Sequence, residues 1–276
     1  MNGIVWLASY PKSGNTWFRA LLTNALVKRA EPADINNLIG VSAASRQLFD
    51  DIAGLQSTDL PLGEIERLRP RVYEFLAHRP KASYLKIHDG CYELSQGPPL
   101  IPAQVTRAVI YLVRNPYDVA VSYAHHRGSS IDEIIEVMAS PDHVIGRAWQ
   151  DESLQLCQRV GSWSGNVTSW IDSGLPVHIV RFEDLSAAPA TTVASALDFL
   201  GEDLDAAAVE RAVAFSSFEE MSRQEMKRGF FERPSRERPF FRGGRVGDGA
   251  RTLTEAQRKR IRDDHGFVMT RLGYGD

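Results

Sequence analysis

A lysine, two hydroxyls and a glycine fall within five residues of one another in Tyr10-Pro11-Lys12-Ser13-Gly14-Asn15-Thr16-Trp17. An ammonium, hydroxyls and the free backbone N–H groups of a helix start bind phosphate oxygens, so the segment reads as a phosphate cradle. It departs from the nucleoside-triphosphatase loop G-x-x-x-x-G-K-[ST], in which the lysine follows the last glycine; here Lys12 precedes Gly14. Two more candidates close apolar runs. Arg114 and Ser122 stand in Leu112-Val113-Arg114-Asn115-Pro116-Tyr117-Asp118-Val119-Ala120-Val121-Ser122-Tyr123, and an arginine fork suits phosphate oxygens while keeping its charge at neutral pH. A purely structural arginine paired with Asp118 would read the same way. His88 ends Tyr84-Leu85-Lys86-Ile87-His88; with an ordinary pKa near 6.5 it can take a proton from an acceptor hydroxyl, although a hydrogen-bonded strand-end histidine is the plainer alternative. His125 and His126 compete with it, but they fall in the helix after Arg114 and are expected to line a pocket or face solvent.

These residues need a frame that delivers them. The runs 4–8, 84–87, 108–113 and 177–182 are rich in β-branched and aliphatic residues, as strands covered on both faces of a parallel sheet are. Helical patterns at 16–29, 118–126 and 190–200 separate them, which predicts an α/β fold of doubly wound type. In such sheets ligands bind outside the carboxyl ends of the strands, where Lys12, His88 and Arg114 all stand. The stretches 31–79 and 128–160 are expected to cover the site.

With 276 residues, 43% of them hydrophobic and 24% charged, the chain suits one large domain over residues 1–276. No apolar run approaches the roughly 18 residues of a membrane span, and the first run lacks a basic leader and a cleavage site, so a cytoplasmic protein is expected. Cys91 and Cys157 lack metal-ligand spacing. The net charge of −3 opposes general nucleic-acid binding, yet residues 223–251 hold nine basic residues against four acidic ones. Within that stretch, Phe241-Arg242-Gly243-Gly244-Arg245-Val246-Gly247-Asp248 brings glycines and arginines together, a composition that lets backbone approach an anion.

Taken in order from Trp6 to Asp248, these segments resemble the sulfotransferases that use 3′-phosphoadenosine 5′-phosphosulfate (PAPS), and the N-terminus is similar to bacterial glycopeptide-tailoring members. The resemblance implies a single α/β domain with a central parallel sheet flanked by helices and a P-loop-like phosphosulfate loop. In it Lys12, Ser13, Gly14, Asn15, Thr16 and Trp17 hold the 5′-phosphosulfate, while Arg114, Ser122, Arg242, Gly243 and Gly244 hold the 3′-phosphate. His88 is the general base of a Lys-x-His segment that includes Lys86, and Ser122 also restrains Lys12. Trp17, Phe182, Ser216 and Phe218 border the adenine. Two positions depart from the family pattern: Gly243 stands where lysine is frequent, and Phe182 where tyrosine is usual. The implied reaction moves a sulfuryl group to a hydroxyl or amine of a small-molecule or natural-product acceptor, releases 3′-phosphoadenosine 5′-phosphate (PAP) and uses no metal. A P-loop kinase and a non-catalytic adenine-nucleotide binder are the alternatives; the kinase is opposed by the glycine–lysine order and by Arg114 where an aspartate is expected. The dimer segment of some animal members finds no match around Thr254 and Glu255, so the oligomeric state is open. Residues 224–240, with Gly229, Pro234 and Pro239, are expected to form a mobile lid.

Overall fold

The structure, a computed structural model, describes residues 2–27, 30–94, 97–146, 155–233, 239–241 and 243–275. Its strands are β1 (Ile4–Ser9), β2 (Val41–Ser42), β3 (Ser83–Ile87), β4 (Thr106–Val113), β5 (Val144–Ile145), β6 (Gln158–Arg159) and β7 (Val177–Arg181). Five of them form one parallel sheet in the order β2-β3-β1-β4-β7, flanked by helices, and β5 and β6 pair separately. Every residue of β1 and the last six of β4 are buried, which is why these strands read as unbroken apolar runs rather than alternating ones. The register of β1 on β3 runs from Ile4 opposite Ser83 to Ala8 opposite Ile87. β3, β1 and β4 are adjacent in that order, an order that the sequence pattern does not give.

The stretch 31–79 is more than cover. It supplies the edge strand β2, paired to β3 through Val41–Leu85 and Ser42–Lys86, and the helix Leu62–Ala77, which carries Pro70 inside it. Two residues are too few to show a period, and an internal proline reads as a helix breaker. Phe182 likewise opens the helix Phe182–Ala187 instead of closing β7. Within 224–240, Gln224–Arg228 is not loop: it completes the helix Phe218–Arg228. There Glu225 accepts the backbone N–H groups of Phe240 and Phe241 at 2.7 and 2.9 Å.

The chain divides into two compact units, Met1–Tyr10 with Gly40–Tyr111 and Val137–Ile179, and Pro11–Ile39 with Leu112–Glu136 and Val180–Asp276. In the first, Trp6 packs edge-on against Tyr73 with centroids 5.0 Å apart and near Trp170 at 6.5 Å. The second has a core of Ala20, Ile35, Met221, Phe230 and Phe241, against which Trp17, Phe218 and Phe240 pack. No helix among the described residues is long and apolar enough to cross a membrane.

Candidate active site

The second unit holds most of the expected site residues. After β1 the chain turns through Lys12 at φ 69° and Gly14 at φ 95° into the helix Asn15–Leu26. Lys12 is the one non-glycine residue with positive φ among the described residues, a conformation costing about 1–2 kcal/mol for an L side chain and one that, alternating with ordinary backbone, turns successive N–H groups into one concavity. Gly14 is required for space as well as for its φ, because a Cβ there would stand 2.6 Å from the Phe182 ring. Gly14 also caps the helix without any side-chain hydrogen bond, leaving first-turn N–H groups for another acceptor. Ser13 is buried, and its Oγ has no hydrogen-bond partner.

Around this loop, Lys12 Nζ lies 3.4 Å from His126 Nδ1 and 4.1 Å from the Phe240 ring centroid. An ammonium only donates, so His126 accepts at Nδ1 and is neutral in this contact. Ser122 is half-buried on the same helix, Pro116–Arg127, four residues before His126 and hence on the same face. The sequence reading did not anticipate His126 as the lysine's neighbour; the four-residue spacing from Ser122 was the available signal. Thr16 donates to Glu232 at 3.3 Å, and Arg19 pairs with the same carboxylate at 2.6 Å.

The expected adenine residues gather in this unit too. Trp17 Nε1 donates to the Ser216 carbonyl at 3.0 Å, and its ring meets Phe182 edge-on at 5.7 Å. Phe218 lies 6.5 Å from Phe241, with Gly244 close enough that a Cβ would touch it at 3.4 Å. Gly243 is half-buried and Gly244 exposed; Arg242 lies outside the described residues.

Arg114 follows β4 and is buried. Its guanidinium stacks 4.2 Å over Phe182, donates to the Arg245 carbonyl at 2.8 Å and pairs with Asp118 at 3.6 Å. The structural pairing with Asp118 is therefore present, and yet Nε remains buried without a hydrogen-bond partner. Burial pulls the Arg114 pKa below its ordinary value, against the carboxylates of Asp118, Glu183 and Asp248. An arginine desolvated to this degree gains most from an added anion.

The first unit holds Lys86, half-buried in β3, and His88 just beyond it. His88 Nδ1 is 2.8 Å from the Ser9 carbonyl oxygen. A carbonyl only accepts, so Nδ1 carries a hydrogen here, which makes Nε2 the basic nitrogen of the unprotonated ring. The backbone is pinned on both sides: His88 N–H donates to Gln158 Oε1 at 3.1 Å, and Asn166 Nδ2 donates to the His88 carbonyl at 3.1 Å. The next residue, Asp89, receives a two-pronged bond from Arg69 at 3.1 and 2.7 Å and the Arg159 N–H at 2.9 Å. Burial opposes the charge on Arg69, but Asp89 and Tyr73 outweigh it and raise the pKa; burial pushes Tyr73 up to about 12. This anchor was missed from the sequence, although Arg69 sits at four-residue spacing from Ile65 and Tyr73, on the buried face of its helix.

The family model of the Sulfotransferase domain matches residues 3–273. The chain is 25% identical over 277 residues to flavonol 3-sulfotransferase of Flaveria bidentis, covering 93% of this chain and 78% of that protein. To sulfotransferase 1A1 of Canis lupus familiaris it is 26% identical, with coverages of 97% and 83%. Among solved structures, mouse sulfotransferase SULT7A1 complexed with PAP shares the fold at TM-score 0.63 and 21% identity, covering 97% of this chain and 84% of that one. Retinol dehydratase in complex with androsterone and PAP does so at TM-score 0.61 and 20% identity, covering 95% and 80%.

Proposed function

Because this chain belongs to the Sulfotransferase domain family, we propose that it transfers a sulfuryl group from PAPS to a hydroxyl or amine of a small-molecule or natural-product acceptor, with PAP as the product. The observation that carries the reading is the buried, unpartnered Ser13 Oγ beside an uncapped helix start and a left-handed Lys12. Together these donors fit a phosphate or sulfate group, since an anion there answers groups whose burial otherwise costs about 1–3 kcal/mol each. The PAP named with two of the similar structures belongs to the same chemical class.

Bound PAPS supplies an activated sulfuryl group whose departure leaves charge on a 5′-phosphate oxygen. Lys12 and the amides and hydroxyls of Ser13, Gly14, Asn15 and Thr16 stabilise that charge where it develops. His88 takes the acceptor's proton at Nε2 while Ser9 holds the other ring nitrogen. Lys86 joins this set through the Lys-x-His pattern. Arg114 and Ser122, with Arg242, Gly243 and Gly244, hold the 3′-phosphate; Trp17, Phe182, Ser216 and Phe218 border the adenine. The whole chain acts as one sulfotransferase domain, in the cytoplasm, and needs no metal because cationic side chains and N–H groups carry the charge.

The test is a turnover screen with PAPS over phenol, sugar, lipid and peptide acceptors in excess chelator, read as PAP release. Acceptor-dependent release is expected. An absolute magnesium requirement with ATP as the working donor would replace the reading with a kinase.

A further inference from the structure

We infer that Asp118 is a positioning residue for 3′-phosphate recognition: its carboxylate docks the C-terminal glycine-rich loop onto the helix that follows Arg114. The inference rests on the PAPS reading above and adds a residue to it.

Asp118 is 2% exposed, and both of its oxygens are engaged by the loop. Oδ2 accepts the Gly247 N–H at 2.9 Å and Oδ1 the Gly249 N–H at 2.7 Å, while Arg114 Nη2 lies 3.6 Å from Oδ2. The loop answers from its own side, since the Arg245 carbonyl accepts from Arg114 Nη2 at 2.8 Å. Arg114 and the loop are thus tied to each other directly and again through Asp118. The fit is close: a Cβ on Gly249 would stand 2.5 Å from the backbone of Tyr117. Asp118 also lies in the first turn of the helix Pro116–Arg127, where the helix dipole favours a carboxylate.

Two physical effects of Asp118 on a bound 3′-phosphate have opposite signs. Through space, a carboxylate beside Arg114 repels the phosphate, so neutralising it should tighten PAP binding. Through the loop, it holds Gly243 to Arg245 and the guanidinium in place, so neutralising it should weaken PAP binding. Docking wins, because an asparagine cannot accept at both positions: its amide nitrogen would face one of the two N–H donors and push the loop away.

The experiment titrates PAP and ADP calorimetrically into wild type, Asp118→Asn and Gly249→Ala. Gly249→Ala displaces the loop without altering any charge, and therefore carries the test if Asp118→Asn fails to fold; each variant's unfolding midpoint is recorded alongside. Both variants should bind PAP about tenfold or more weakly, the loss set by hydrogen bonds to a charged group, while ADP affinity changes less than about twofold. A merely structural defect would lower both affinities together and leave their ratio unchanged, which would overturn the inference. PAP binding by Asp118→Asn as tight as or tighter than wild type would also overturn it. A wild type that does not prefer PAP to ADP would instead remove the 3′-phosphate reading, and the inference with it, so the two failures are distinguishable.

Discussion

The surroundings of His88 and those of the Lys12–Trp17 loop answer their polar groups in opposite ways. At His88, ring nitrogen Nδ1, backbone N–H and carbonyl all have partners in Ser9, Gln158 and Asn166, and Asp89 beside it is locked to Arg69. In the loop and at Arg114, Ser13 Oγ and Arg114 Nε are buried with no hydrogen-bond partner. A satisfied network fixes a tautomer and an orientation, as a proton-transfer group requires. Buried donors without acceptors raise the energy of the protein alone and release it when an anion arrives. His88 should therefore govern rate and Arg114 affinity, while the loop contributes to both, since it holds the phosphosulfate and stabilises the charge that develops there.

The largest effect is expected where that division can be broken outright. His88→Ala should lower turnover by about 10²- to 10⁴-fold, the usual contribution of a general base, and leave PAP affinity nearly unchanged in a direct titration. A variant with near-normal turnover would remove His88 from the chemistry, and one that also loses PAP would erase the contrast. Next in size, Arg114→Ala should weaken PAP by roughly 1.5–3 kcal/mol, the worth of a charge-assisted hydrogen bond, with little change for ADP. Turnover at saturating PAPS would then recover much of its value; a loss confined to saturating turnover would contradict an affinity role.

The smallest effect sharpens the comparison with a histidine outside both regions. His265, buried in the helix Glu255–Arg271, has its pKa lowered by burial to about 4, with Asp264 opposing. A histidine whose folded value lies below its unfolded one favours the folded state while neutral, and loses stability as pH falls from about 6.5, where the unfolded chain takes up its proton, toward 4. His265→Gln should remove that acid-side loss, read as a flatter dependence of the unfolding midpoint on pH between about 6.5 and 4, with PAP affinity unaltered. An unchanged slope would show that other groups carry it.

The features legible in the sequence share a physical cause: they are local. β1, β3, β4 and β7 showed through because buried parallel strands are continuous apolar runs, and Lys12 to Trp17 because a helix start and its preceding turn are written in consecutive residues. β2, β5 and β6 span two residues each, too short to carry a period. In the candidate site, what escaped was the set of partners made by chain folding: Arg69 with Asp89, Arg19 with Glu232, and Asp118 with the N–H groups of Gly247 and Gly249. The types of these residues announce a charge, but the partner of each lies 20 to 213 positions away, where no spacing rule reaches. Gln224 and Glu225 escaped for the same reason: a basic, proline-marked stretch reads as loop, whereas burial of these two side chains in the helix depends on Ala33, Ile35, Phe240 and Phe241.

The reading that the unanswered Ser13 Oγ and Arg114 Nε belong to a PAPS site is tested most directly by one titration. PAP and ADP are titrated separately into the wild-type protein without metal. PAP is expected to bind at least tenfold more tightly, since only PAP carries the 3′-phosphate whose charged oxygens offset the desolvation of Arg114. Equal affinities for the two nucleotides would contradict it.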